Sequence, residues 1–94
     1  MRILKFQATW CGPCKALSMI VAGVGDKLTV PVQEIDIEED QAVAIRYGVR
    51  GVPTMILLDD NDKEIARKVG LVDEQHLLEF AHQTSSTLGI TSQG

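Results

Sequence analysis

Aromatic residues, cysteines and long apolar runs are all scarce in this 94-residue chain. Aromatic side chains make up 4% of it, and its two cysteines are too few for the disulfide framework of a small secreted domain. One of the longest apolar runs, Met55 to Leu58, is far shorter than the roughly 20 residues of a membrane-spanning helix. No charged and then apolar leader opens the chain. We therefore expect a cytoplasmic protein that neither crosses nor binds a membrane.

Basic residues are in the minority, with 9 Lys and Arg against 13 Asp and Glu and a net charge of −4. This balance gives no electrostatic footprint for nucleic acid, so none is expected as a partner. The length suits one domain with a modest core and no large cofactor. We place the domain at residues 1–83, because residues 84–94 lack charge and strong periodicity, which is typical of a flexible tail.

The hydrophobic pattern predicts four strands and three helices in the order β-α-β-α-β-β-α. The strands are predicted at residues 2–8, 30–37, 54–58 and 64–69. The helices are predicted to begin at Pro13, at Gln41 and after an N-cap at Asp73, with Asp40 or a neighbour capping the second. Helical crossovers make the first strands parallel and the last connection makes a hairpin, so a mixed α/β fold is expected.

Cys11 and Cys14 lie at the start of the first predicted helix. Unpaired backbone N–H groups and the positive end of the helix dipole favour a thiolate there. Cys14 lies one turn further in on the same face and is expected to be more buried and less ionised. A disulfide between them closes a short loop and adds little stability, so its use lies in being made and broken. We expect Cys11 to attack a target disulfide and Cys14 to resolve the mixed disulfide.

Other interpretations of the cysteine pair fit less well. Half of a zinc site needs further ligands, but His76 and His82 are six residues apart, which is not a chelating spacing on a helix. A pair of inert small hydrophobes does not require Gly12 and Pro13, which belong to a turn that enters a helix. We assign the histidines no role and predict no metal site.

Three strings of residues resemble the thioredoxin family in order and spacing. They are WCGPCK at residues 10–15, YGVRGVPT at residues 47–54 and KVG at residues 68–70. The resemblance extends from Ile3 to Ala81. It implies a thioredoxin-like fold, in which three helices flank a central mixed four-stranded sheet. It also implies an enzyme, a protein thiol-disulfide oxidoreductase that reduces target disulfides through a mixed-disulfide intermediate.

The resemblance also assigns roles to single residues. Cys11 matches the nucleophile and Cys14 the resolving cysteine. Pro53 matches the family's cis-proline, which leaves the backbone of Val52 free to pair with an extended target peptide. The surface that receives target proteins is matched by Trp10, Gly51, Val52, Pro53 and Gly70. The supporting residues of the motif are Gly12, Pro13 and Lys15.

Compared with thioredoxins of ordinary length, this chain is a short version without the family's first strand and helix. The absent strand would lie beside residues 32–37, so this segment is expected to form a sheet edge. Pro31 and the polar residues Gln33, Glu34 and Asp36 suit an edge, because they discourage pairing with another chain.

Lys5 stands six residues before Cys11, where the family has a buried aspartate. Glu34 takes the place of the family's lysine on the neighbouring strand. The pair is therefore predicted to be kept with exchanged charges, the alternative being that both side chains point into solvent. An ammonium near Cys14 favours its thiolate, and Glu34 becomes the nearer candidate base.

The family needs no bound cofactor, and the resemblance implies that electrons come from NADPH through a thioredoxin reductase. The expected partners are this reductase, or another electron donor, and proteins with disulfides, and we expect a monomer. The main alternative is a non-redox accessory subunit of a larger enzyme, for which the cysteines are dispensable. A further alternative is metal or cluster binding by the two cysteines across a dimer, which gives colour or bound metal on purification.

Overall fold

Four strands and three helices follow one another in the predicted order in the computed structural model, which describes residues 1–83. The predicted tail, residues 84–94, lies outside the described residues. The elements are β1 (Arg2–Gln7), α1 (Gly12–Val24), a 3₁₀ turn (Gly25–Lys27), β2 (Val32–Asp36), α2 (Gln41–Arg46), β3 (Thr54–Leu58), β4 (Glu64–Val69) and α3 (Glu74–Ala81). Both strands of the predicted hairpin have the predicted bounds.

The strands form one mixed sheet in the order β2-β1-β3-β4. β1 and β2 are parallel, whereas β3 is antiparallel to both β1 and β4. Within the described residues β2 is therefore an edge strand, as predicted. It begins at Val32 and not at residue 30. Pro31 has no N–H to donate and contributes only its carbonyl, which accepts a 2.9 Å hydrogen bond from the N–H of Ile3.

Two apolar clusters cover the two faces of this sheet, because successive strand residues point to opposite sides. One cluster packs beneath α1 and α3 and includes Ile3, Leu17, Val24, Met55, Leu57, Leu77, Phe80 and Ala81. The other packs beneath α2 and includes Leu4, Phe6, Ile35, Ala44, Ile56 and Leu58. The strand β3 is buried along its whole length, so it is the shared centre of both cores.

The helix ends differ in how their backbone groups are satisfied. Asp73 caps α3 as predicted, since its carboxylate accepts a 2.9 Å hydrogen bond from the N–H of His76. Asp40 occupies the N-cap position of α2, but its side chain makes no capping hydrogen bond. The turn before α2 is held instead by Asp36, whose carboxylate accepts from the N–H groups of Glu38 and Glu39 at 2.8 and 3.3 Å.

Candidate active site

The two cysteines form a disulfide at the start of α1, with their Cα atoms 5.2 Å apart. Cys11 is the N-cap residue, and its Sγ accepts a 3.1 Å hydrogen bond from the N–H of Cys14. Pro13 fits the first turn because the N–H it lacks would have no partner within the helix. When the disulfide is reduced, the same N–H and the positive end of the helix dipole favour negative charge on Cys11.

Burial does little to distinguish the two sulfur-bearing residues. Cys14 is 2% exposed and Cys11 is 4% exposed, so the expected difference in burial is small. Both pack against Ala8, with Ile37 and Val52 next to them. The asymmetry between the cysteines lies in hydrogen bonding, because Cys11 holds the N-cap position and Cys14 is the donor to it.

The loop of Gly51, Val52 and Pro53, here called the proline loop, lies directly beside Cys11. The peptide bond from Val52 to Pro53 is cis, and the carbonyl oxygen of Val52 lies 3.7 Å from Sγ of Cys11. Among residues 1–83, no backbone group hydrogen bonds with the N–H or the carbonyl of Val52. Two hydrogen bonds anchor the loop. Thr54 Oγ1 donates to the carbonyl oxygen of Gly51 at 2.6 Å, and the N–H of Gly70 donates to the carbonyl oxygen of Pro53 at 2.8 Å.

Exposed apolar side chains surround this loop. Trp10 is 65% exposed, and Val69 and Leu71, which flank Gly70, are 68% and 50% exposed. The indole N–H of Trp10 donates to a carboxylate oxygen of Glu38 at 3.0 Å, so the ring is held in place although it faces solvent. Val69, Leu71 and Glu38 were not predicted from the sequence as site residues. The available sequence signal was that Val69 and Leu71 flank Gly70 and that Glu38 lies just after β2.

Lys5 and Glu34 lie next to each other in the register of β1 and β2. The Lys5 side chain is fully buried, and its ammonium lies 3.6 Å from a carboxylate oxygen of Glu34, whose side chain is 55% exposed. Lys5 also donates to Gln7 Oε1 and, at 2.7 Å, to Ser18 Oγ. Burial lowers the pKa of Lys5, and the charge of Glu34 opposes that shift only in part.

Comparisons with known proteins agree with this geometry. The family model of thioredoxin matches residues 1–83. The chain belongs to the thioredoxin family. The thioredoxin of Chlamydia caviae is 37% identical over 84 residues, which cover 88% of this chain and 81% of that protein. The thioredoxin of Rhodospirillum rubrum is 38% identical over 79 residues, which cover 80% and 73%.

Solved thioredoxin structures share the fold. A mutant thioredoxin from Halobacterium salinarum NRC-1 superposes with a TM-score of 0.78 at 40% identity, covering 84% of this chain and 69% of that one. Thioredoxin 1 from Thermosipho africanus covers 99% of this chain and 100% of its own, with a TM-score of 0.75 at 24% identity. The second comparison bears on the fold alone.

This family member is a thiol-disulfide oxidoreductase with a cysteine pair at the start of α1. Family membership implies reductases and disulfide-containing proteins as partners in general, and thioredoxins need no bound cofactor. Among residues 1–83, no group of three or more His, Cys, Asp or Glu side chains is arranged to hold a metal ion. None of the described helices combines the length and apolar character needed to cross a membrane.

Two pockets of this thioredoxin-family chain differ in their relation to the cysteines. The larger, about 470 Å³, lies between β4 and α3 and contains neither cysteine in its lining. The smaller, about 120 Å³, lies beside Cys14. Its polar lining consists of Gln7, Thr9, Lys15, Ser18 and Asp36. From the sequence Asp36 was considered only as an edge residue, so its place beside Cys14 was missed.

Proposed function

We propose that this protein is a cytoplasmic protein-disulfide reductase in which Cys11 attacks and Cys14 resolves. The Cys11 thiolate attacks one sulfur of a target disulfide, and the other target sulfur leaves as a thiolate and takes up a proton. Cys14 then loses its proton and attacks Cys11 Sγ, which releases the second target thiol. The cysteine pair has lost two electrons, and the target disulfide has gained them.

The observation that carries this assignment is the hydrogen bond from the N–H of Cys14 to Sγ of Cys11 at the helix N-terminus. A donor held at that position stabilises negative charge on Cys11 before it attacks. The N–H of Cys14 is part of the turn that also carries the resolving thiol. Attack at Cys11 therefore places the mixed disulfide within reach of Cys14.

We propose that target proteins bind across the apolar surface formed by Trp10, Gly51, Val52, Pro53 and Gly70. The N–H and carbonyl of Val52 have no backbone partner within residues 1–83, so they are suited to pair with an extended peptide, as an added strand does. The exposed ring of Trp10 provides apolar contact area at low entropic cost. Gly12, Pro13 and Lys15 complete the turn that presents Cys11.

We propose that Lys5 and Glu34 act as one charge pair behind the cysteines, with charges exchanged relative to other thioredoxins. The buried ammonium of Lys5 favours negative charge at Cys14, and the half-exposed carboxylate of Glu34 limits the cost of burying that ammonium. The sequence also makes Glu34 a candidate base. This role stays a prediction, which the Glu34→Gln variant tests directly.

We propose further that NADPH, through a thioredoxin reductase, re-reduces the pair, and that the protein acts as a monomer without nucleic acid or membrane partners. The acidic composition supports the last point. A purified thioredoxin reductase with NADPH should sustain turnover. Failure of that enzyme alone, while dithiothreitol still supports activity, would point to another donor.

Reduction of insulin disulfides, with dithiothreitol as the electron source, tests the mechanism. We expect Cys11→Ser to lower the rate to that of dithiothreitol alone, because the remaining cysteine, Cys14, is buried and does not hold the N-cap position. Cys14→Ser should retain the first attack and accumulate a mixed disulfide that mass spectrometry detects. If neither the folded wild-type protein nor Cys11→Ser exceeds the rate of dithiothreitol alone, the proposal is contradicted and a binding subunit is favoured.

A further inference from the structure

The pocket beside Cys14 brings a carboxylate and the resolving cysteine to the same small volume. Asp36 lies at the end of β2, opposite Gln7 in the register with β1, and both line the pocket with Cys14. A pocket of about 120 Å³ has room for water, which can relay a proton between groups that do not touch. The pocket therefore offers a proton path from Cys14.

Asp36 and Glu34 share one face of β2 but differ in what they face. Glu34 is more than half exposed and lies against the ammonium of Lys5, outside the lining of this pocket. Asp36 is half-buried, and one of its oxygens holds the turn by accepting from Glu38 and Glu39. Within residues 1–83 these hydrogen bonds leave its other oxygen, Oδ2, without a partner. Asp36 thus has a fixed carboxylate with one oxygen left for a proton.

We infer that Asp36, and not Glu34, accepts the proton of Cys14 when Cys14 resolves the mixed disulfide. This inference rests on the proposed function, since it concerns the second step of that reaction. The proton passes from the Cys14 thiol to the carboxylate of Asp36, and the Cys14 sulfur bonds to Sγ of Cys11. The bond between Cys11 and the target breaks, and the departing target thiolate takes up a proton.

Charged groups around the pocket support the same step. Lys15 lines it from α1, and the buried Lys5 lies behind Gln7 and Ser18, so both cations favour a thiolate at Cys14. The nearby acids are already engaged, since Glu34 faces Lys5 and Glu38 accepts from Trp10. Asp36 is the acidic residue that lines the pocket itself.

Stopped-flow reaction of the reduced protein with the aromatic disulfide DTNB separates the two steps. Cys11 releases one coloured thiol in a phase that depends on DTNB concentration, and Cys14 releases the second in a unimolecular phase. For Asp36→Asn we expect the first phase to change by less than about twofold and the second to slow by roughly a hundredfold near pH 6. The second phase should then rise with pH as solvent replaces the carboxylate as base.

Asparagine keeps the oxygen that accepts from Glu38 and Glu39, so the turn is retained and an unchanged denaturation midpoint verifies it. Asp36→Ser, which also offers a turn-capping oxygen, should show the same loss. Glu39→Gln is the matched control, since it removes one charge from the same exposed turn and should leave both phases unchanged.

Three outcomes would overturn the inference. They are a normal second phase in Asp36→Asn, the loss appearing in Glu34→Gln instead, or equal slowing by Glu39→Gln. Failure of the proposed function looks different. In that case the wild-type protein releases no second thiol, or Cys14→Ser still releases two.

Discussion

The two faces of the sheet use the same strands for different purposes. On the α2 side, Leu4, Phe6 and Ile35 are buried and apolar and form one cluster with Ile56 and Leu58. On the α1 side, Lys5 and Gln7 follow the apolar Ile3, and polar residues lie opposite them on β2. One face is built for stability, whereas the other departs from an apolar core at the place where the thiols react.

The polar residues on this face lie beneath the N-terminal half of α1. Ser18 lies one helical turn after Cys14, and its hydroxyl oxygen accepts a hydrogen bond from the ammonium of Lys5. Leu17, on the neighbouring side of the helix, and Val24, at its end, belong to the apolar cluster shared with α3. Stability on this face therefore depends on the α3 half, and the chemistry depends on the cysteine half.

Phe6→Ala should have the largest effect on stability and little effect on the chemistry. Phe6 is fully buried on the α2 side, with its ring centroid 6.1 Å from that of Tyr47. Removing a buried phenyl ring leaves a cavity and typically costs about 3–5 kcal/mol in the free energy of unfolding. Urea denaturation measures this loss, and the DTNB phases of the folded protein should stay near wild type.

The milder variant Phe6→Leu should lose less stability and keep the same DTNB phases, which covers the case in which the alanine variant does not fold. A slowed second phase in either variant would mean that the two faces are coupled, and the division of purpose between them would fail.

Lys5→Met should have the opposite result, a small effect on stability and a clear effect on the chemistry. The substitution removes the Lys5 ammonium, whose charge is disfavoured by burial, and the half-exposed Glu34 carboxylate can be hydrated once the ammonium is gone. We therefore expect the free energy of unfolding to change by less than about 2 kcal/mol. Cys14 loses a nearby cation, and the pH profile of the resolving phase should move to higher pH. An unmoved profile would contradict a role for Lys5 beside the cysteines.

The pH dependence of stability gives a second test of Lys5. Its pKa is lowered in the folded protein, so between that value and the ordinary one the unfolded chain binds more protons. The wild-type protein should therefore gain stability relative to Lys5→Met as pH rises through this window. A difference in unfolding free energy that is flat across the alkaline range would contradict a buried, desolvated ammonium.

Asp73 caps α3 and lies on neither face of the sheet, so Asp73→Ala should have the smallest effect on stability. Hydrogen bonds from the backbone N–H and the ring of His76 lower the pKa of Asp73. The cap therefore stabilises the protein above the ordinary aspartate pKa, and the benefit is lost as pH falls through the lowered value. Melting curves of both proteins should differ by a few degrees at neutral pH and converge in acid. A constant difference would show that the carboxylate charge is not involved.

Local sequence signals predicted the strands and helices well but the side-chain partners less well. Glycine, proline and the change of hydrophobic period placed the bounds of β3 and β4. Asp40 was predicted as a cap from its position alone, whereas the structure uses Asp36 to hold the turn before it. Capping depends on side-chain direction, which sequence spacing does not specify.

Sequence by itself predicted the order of the strands and helices, because hydrophobic periodicity is a local property. The strings at residues 10–15, 47–54 and 68–70 added the thioredoxin-like fold and the roles of the cysteine pair through their resemblance to the family. Tertiary structure decided which charges act together. Lys5 became fully buried with Glu34 half-exposed beside it, and Asp36 came to share a pocket with Cys14. These relations depend on strand register and on the packing of α1 over β1 and β2, which join residues far apart in the chain.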